Sequence, residues 1–285
     1  IQHVVQRAFQ IASTEPHGPV YLILPRELLM EKMTAVHPLP KTRYGPALTP
    51  QADESALAET ARLLISARNP LVITSFLGRH PQAVAPFVEL AEALALRVVS
   101  VGVRMNFPTS HPLWAGISPN PYLKDADVIL IVDQTVPYVP VQAQPRADAK
   151  IIYLDIDPVK ADYPMWNFPA DIRMQADSGK AIPVLNQLVS QLATARDQAR
   201  FRERFQRLQK EHEAQRAEWK RWATVKAGQR PMSAEWLAHC IVEEVDEDTI
   251  IIDETVTNWP TVARHVHRSQ PGTIFRTGGS SLGWG

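Results

Sequence analysis

At 285 residues the chain is long enough for one large domain or two of ordinary size, and 45% hydrophobic against 21% charged residues suits a protein that buries a sizeable core. The 30 basic side chains are matched by 30 acidic ones, which excludes a general electrostatic attraction to nucleic acid or an anionic membrane. One cysteine, Cys240, excludes an internal disulfide framework and fits a reducing, cytoplasmic compartment; no apolar run approaches the roughly 20 residues a membrane span requires, and no signal peptide is visible.

Residues 1–34 read as helix, turn and strand. Val4, Val5, Phe9 and Ile11 fall on or near one helical face, His17-Gly18-Pro19 breaks the helix, and the apolar run Val20–Leu24 predicts a buried parallel strand that Pro25 stops. Pro38, Pro40, Pro46 and Pro50 make 35–51 a stiff, extended linker. From 52 to 194, helix and strand alternate. Asp53 caps a helix through Leu57, Ala61, Leu64 and Ile65, and Leu71–Thr74 is a strand. A helix carrying Phe87, Leu90 and Leu94 follows, then strands at Arg97–Ser100, Asp127–Val132 and Ile151–Ile156, and a helix with Ile182, Leu185 and Val189. This rhythm predicts an α/β fold with a doubly wound, Rossmann-like parallel sheet. Residues 195–230 are a charged amphipathic connector whose Phe201, Phe205, Leu208, Trp219 and Trp222 form a stripe facing its own protein. Residues 231–285 open another α/β unit: a helix capped by Ser233, a strand at Thr249–Asp253, a helix from Trp259 to Val266 and a glycine-rich turn. Ile1 stands inside a helical pattern and Gly285 inside a turn, so further chain is expected on both sides.

Two segments are candidates for chemistry. Thr255, Val256, Thr257 and Asn258 stand where a strand ends and a helix begins, the place where open parallel sheets bind ligands; hydroxyls, an amide and helix-terminal N–H groups there suit a phosphate, while a plain N-cap at Thr257 or Asn258 is the structural alternative. The second runs from Thr277 to Gly285, where four glycines in nine residues let backbone approach a ligand around Gly279, Ser280, Ser281 and Leu282. Other clusters read as structural. Asp155 and Asp157 suit a turn, His265 and His267 two exposed helix positions, and Cys240 a buried, inert thiol.

Taken in order, these segments resemble the thiamine-diphosphate-dependent enzymes of the acetolactate synthase and benzoylformate decarboxylase type. His17–Pro25 is similar to the strand that ends their pyrimidine-binding domain. Ala61–Leu64 with Asn69–Ile73, Asp125–Leu130 and Ile152–Pro158 are similar to their central domain, and the two terminal motifs to the start of their diphosphate-binding domain. The resemblance implies a decarboxylase or carboligase acting on a small 2-oxo acid, with thiamine diphosphate and Mg2+, and a homodimer or homotetramer in the complete protein. It places Thr255–Asn258 at the diphosphate or pyrimidine edge, Ser280 against the aminopyrimidine, and Leu282 under the bent cofactor. It also puts the family's catalytic glutamate before Ile1 and its Gly-Asp-Gly…Asn metal motif after Gly285, so this polypeptide alone is expected to be inactive and to bind the cofactor weakly or not at all. Val132–Pro137 lacks the arginine-bearing pattern by which acetolactate synthases hold FAD, and Thr257 or Asn258 stands where they usually carry histidine; both argue against FAD and a strict acetolactate synthase. The alternative is a non-catalytic Rossmann-like nucleotide-binding or interaction module. Against it, Thr74–Arg79 has one glycine after its strand where a dinucleotide fingerprint needs three.

Overall fold

The computed structural model describes residues 1–35, 37, 40 and 43–276, which fall into two compact units, 1–51 and 52–285. In the first unit, α1 (Gln2–Ala12) is tied to the later chain by Gln10 Nε2 donating to the Gly45 carbonyl (3.0 Å) and by Ala47 N donating to Thr14 Oγ1 (3.2 Å). A short α2 (Arg26–Met30) follows. The strand expected at Val20–Leu24 is absent: the segment pairs with no strand among the described residues, and Tyr21 is 87% exposed. A strand is stabilised by its ladder, and an apolar run without a neighbour stays unpaired coil.

The second unit is built on a five-stranded, all-parallel sheet of order β2-β1-β3-β4-β5: β1 (Pro70–Thr74), β2 (Arg97–Ser100), β3 (Val128–Val132), β4 (Lys150–Asp155) and β5 (Ile172–Gln175). Alternation along the strands divides the core. Val72, Val98, Leu130 and Ile152 face a helical layer made by α3 (Glu54–Ser66), α4 (Val84–Leu94) and α5 (Ser178–Leu192). Leu71, Ile73, Val99, Ile129, Ile151 and Tyr153 face the other way, where Leu123, Tyr138, Trp166 and Phe168 from the connecting loops cover them. The helices therefore gather on one face, and an aromatic loop layer closes the second. Asp53 accepts from Ala56 N at the start of α3, as its position before the periodic run predicts.

The charged connector is α6 (Ala195–Val225), opened by a reciprocal Thr194–Asp197 capping box. Most of its stripe faces its own protein: Phe201, Leu208 and Trp219 join the helical-face core and Phe205 packs against it, whereas Trp222 is 39% exposed. After it come α7 (Ala234–Glu244), capped by Ser233, then β6 (Ile251–Asp253), α8 (Trp259–His265) and β7 (Ile274–Arg276). Cys240 on α7 is half-buried rather than fully enclosed. No helix among the described residues is long and apolar enough to cross a membrane.

Candidate functional site

In a 2-1-3-4-5 sheet the chain leaves β1 and β3 in opposite directions, opening a crevice at their carboxyl ends. Parallel register brings Thr74 level with Val132, so the residues that follow converge there. Phe76 N donates to the Asp133 carbonyl (2.9 Å), and Asp133 itself adopts φ 46°. The Asp133 carboxylate, 2% exposed, meets Arg79 Nη1 at 2.9 Å and accepts a hydrogen bond from Ser178 Oγ at the start of α5. Its Oδ1 has no partner, nor does the buried Thr74 Oγ1. Burial pushes the Asp133 carboxyl up to about 6, against the pull of Arg79 and the Ser178 hydrogen bond. Beside it, Asp155 accepts from Lys160 Nζ (3.0 Å), Gln134 N (3.1 Å) and Asp157 N (2.8 Å), so Asp155 at the end of β4 and Asp157 beyond it do build a turn, locked by a buried ion pair. At this switch point the protein's own side chains close on one another.

The loop after β1 turns back tightly. Gly78 N donates to Asn106 Oδ1 (2.9 Å), and a Cβ at Gly78 would stand 2.1 Å from the Met105 carbonyl oxygen. Gly78→Ala is therefore expected to cost about 1–3 kcal/mol through overpacking, read as a lower denaturation midpoint at an unchanged denaturant slope.

The segment singled out after the later strand sits on the two-stranded sheet. β6 and β7 are parallel neighbours, with Asp253 registered to Arg276, so the chain leaves both strands at the same edge. Asp253 organises that edge. Its Oδ2 accepts from Arg276 Nε (3.0 Å), and its Oδ1 accepts from Thr255 N (2.9 Å) and Thr255 Oγ1 (2.6 Å). Thr255, Val256, Thr257 and Asn258 are all exposed. Asn258 does occupy the N-cap position of α8, but its side chain makes no capping bond. Gly279, Ser280, Ser281 and Leu282 lie outside the described residues.

The reading of His265 and His267 as exposed helix positions is corrected. His265 is buried at the end of α8, and His267 lies beyond the helix with a buried Nδ1 that has no partner. Burial first, then the positive field of Arg216, holds His267 neutral, with its pKa pushed down to about 3. The Arg79–Asp133–Ser178 grouping was not singled out. The only hint in the sequence is a polar residue directly after each of two apolar runs, a pattern shared with ordinary strand ends.

An open parallel α/β sheet with its polar groups gathered at the carboxyl ends defines a ligand-binding class of fold rather than one activity. Residues 57–188 match the model of the thiamine pyrophosphate enzyme central domain. Among solved structures, benzoylformate decarboxylase from Polynucleobacter necessarius aligns with a TM-score of 0.73 at 17% identity, over 99% of this chain and 50% of its own. A provisionally assigned thiamin diphosphate-dependent enzyme from Mycobacterium smegmatis aligns at 0.71 and 19%, over 99% and 52%. The 4-hydroxybenzoylformate decarboxylase of Rhodococcus jostii RHA1 aligns at 0.63 and 18%, over 96% and 50%. At such identities these proteins share a fold with the chain, which spans about half their length.

Proposed function

We propose that the chain is part of a thiamine-diphosphate-dependent enzyme that decarboxylates a small 2-oxo acid or joins it to a second carbonyl compound, in the manner of the acetolactate synthases and benzoylformate decarboxylases. One observation carries this reading. The stretch that matches the central-domain model is followed by two parallel strands, β6 and β7, and Thr255–Asn258 stand exposed directly beyond the end of β6. The residues present fit the cofactor. The acid at that edge, Asp253, is neutralised by Arg276 and so does not repel a diphosphate, while Val256, Thr257 and Asn258 are open to a ligand. Thiamine diphosphate, when bound, supplies the electron sink for loss of carbon dioxide. The chain's own part is positional: Asp253 holds Thr255, Thr257 and Asn258 offer hydroxyl and amide groups to the diphosphate or pyrimidine, and Ser280 and Leu282 would meet the aminopyrimidine and support the bend.

Mg2+, a cytoplasmic setting and a homodimer or homotetramer belong to the same proposal for the complete protein. So does the division into a pyrimidine-domain end at 1–34, linker 35–51, central domain 52–194, connector 195–230 and diphosphate-domain start at 231–285. FAD is not part of it. The 285 residues by themselves are proposed to be inactive, which their coverage of about half of the matched structures supports. Two measurements check this. Titration calorimetry of thiamine diphosphate with Mg2+ into the 285-residue chain should show no saturable heat; micromolar affinity would overturn the proposed inactivity. The complete reading frame should release carbon dioxide from a 2-oxo acid panel only when both are added. If it neither binds the cofactor nor releases carbon dioxide, the functional reading fails.

A further inference from the structure

The loop that follows β2, residues 101–109, grips the segment from Arg268 to Arg276 at both ends. The Val103 carbonyl accepts from Arg276 N (2.8 Å), and Arg104 forms an antiparallel bridge with Phe275. Thr109 and Arg268 exchange a reciprocal pair: Thr109 N donates to the Arg268 carbonyl and Arg268 N to Thr109 Oγ1, each at 3.0 Å. A loop has no ladder to fix its shape, so one that holds a strand in place needs side-chain bonds of its own.

Asn106 supplies them. It is 2% exposed, its Oδ1 accepts from Gly78 N in the loop after β1 (2.9 Å), and its Nδ2 donates to the Arg104 carbonyl (3.1 Å). One planar amide thus fixes the loop after β2 against the loop after β1 and sets the residue bridged to Phe275. Packing leaves little slack. A Cβ at Gly102 would stand 2.1 Å from the Ser75 carbonyl oxygen and 3.1 Å from Asn106 Nδ2. Beyond β7 the bonds continue without a gap: Arg276 Nε donates to Asp253 Oδ2, and Asp253 Oδ1 accepts from Thr255 N and Thr255 Oγ1.

We propose that Asn106 is a positioning residue for the Thr255–Asn258 edge. It touches no ligand. It sets where β7 ends, and through β7 where Arg276 holds Asp253 and Asp253 holds Thr255. The inference rests on the reading of that edge as the contact for the diphosphate or pyrimidine. Loosening such an edge weakens binding of the cofactor throughout the reaction, so it raises the cofactor concentration needed and leaves turnover of the loaded protein nearly unchanged.

Hydrogen exchange on the 285-residue chain tests the link without any cofactor. Asn106→Ala should speed exchange of the Arg276 and Thr255 amides roughly fivefold while the Ile129–Ile131 amides inside β3 stay as they are. In the complete reading frame the same substitution should raise the KM for thiamine diphosphate about fivefold, with kcat at saturating cofactor within about twofold of the parent. Arg204→Lys, which weakens the fold away from this loop, should leave that KM unmoved. Unchanged exchange at Arg276 and Thr255, an equal increase inside β3, or looser amides with an unchanged KM would each overturn the proposal. Should Asn106→Ala fail to fold, Asn106→Asp takes its place with the same outcomes, since it keeps the acceptor for Gly78 N and loses the donor to Arg104. Failure of the cofactor reading looks different: the parent itself would show no dependence on thiamine diphosphate, and both inferences would fall.

Discussion

Arg204→Ala is expected to cost about 3–5 kcal/mol of folding stability, the largest single-residue effect anticipated in this chain. Arg204 projects from the N-terminal third of α6 into the place where two helices end. Its Nε donates to the Ala95 carbonyl (3.0 Å), its Nη1 to the carbonyls of Ala67 (2.8 Å) and Arg68 (3.2 Å), and its Nη2 to that of Leu94. Ala67 and Ala95 are the C-caps of α3 and α4, and Ala95 has turned left-handed at φ 47°. Terminal helix carbonyls lack intrahelical donors and carry the negative end of the macrodipole, so one buried cation serves both ends. Burial lowers the guanidinium pKa to about 10, with the nearby Arg200 adding to the effect, and the group is still charged at neutral pH. Truncation would strand these carbonyls and open a void under α6. Chemical denaturation followed by tryptophan fluorescence should show the loss, and Arg204→Lys should recover less than half of it because one ammonium cannot span four acceptors. A loss below about 1 kcal/mol would show that water replaces the guanidinium without penalty.

Asp133→Asn should abolish a pH dependence on the order of 3 kcal/mol. In the folded chain the Asp133 carboxyl is pushed up to about 6 from an ordinary value of 3.8, chiefly by burial. The folded state therefore holds this proton more tightly than the unfolded state does. The group's favourable contribution is full below about pH 3.8 and is lost as pH rises through about 6, leaving a buried carboxylate whose Arg79 and Ser178 contacts do not repay desolvation. Asparagine keeps an acceptor for both partners and carries no charge. Stability measured from pH 4 to pH 8 should show Asp133→Asn gaining on the parent through this window. Parallel profiles for the two proteins would mean that Asp133 is solvated enough to ionise freely.

Most of the fold between 52 and 225 was legible because its elements announce themselves locally. The runs at Leu71–Thr74, Val128–Val132 and Ile151–Leu154 are too short and too apolar for anything but buried strands between helices. Leu57, Ala61, Leu64 and Ile65 keep helical spacing, and all are buried. The short strands were invisible. Ile172–Gln175 and Ile274–Arg276 alternate with charged or polar side chains over three or four residues and exist only because β4 and β6 lie alongside. Val20–Leu24 is the converse case, an apolar run whose strand reading failed for want of a neighbour.

The amino-acid order by itself determined the parallel α/β class, the amphipathic connector and the position of Thr255–Asn258 after a strand, since each depends on periodicity or composition within a short window. Tertiary structure alone decided which distant side chains meet. Arg79 and Ser178 meet on the Asp133 carboxylate, and Arg204 caps two helices from over 100 residues away. Such meetings follow from strand register and helix docking, which are set by the whole core at once and leave no trace in the spacing of the residues involved.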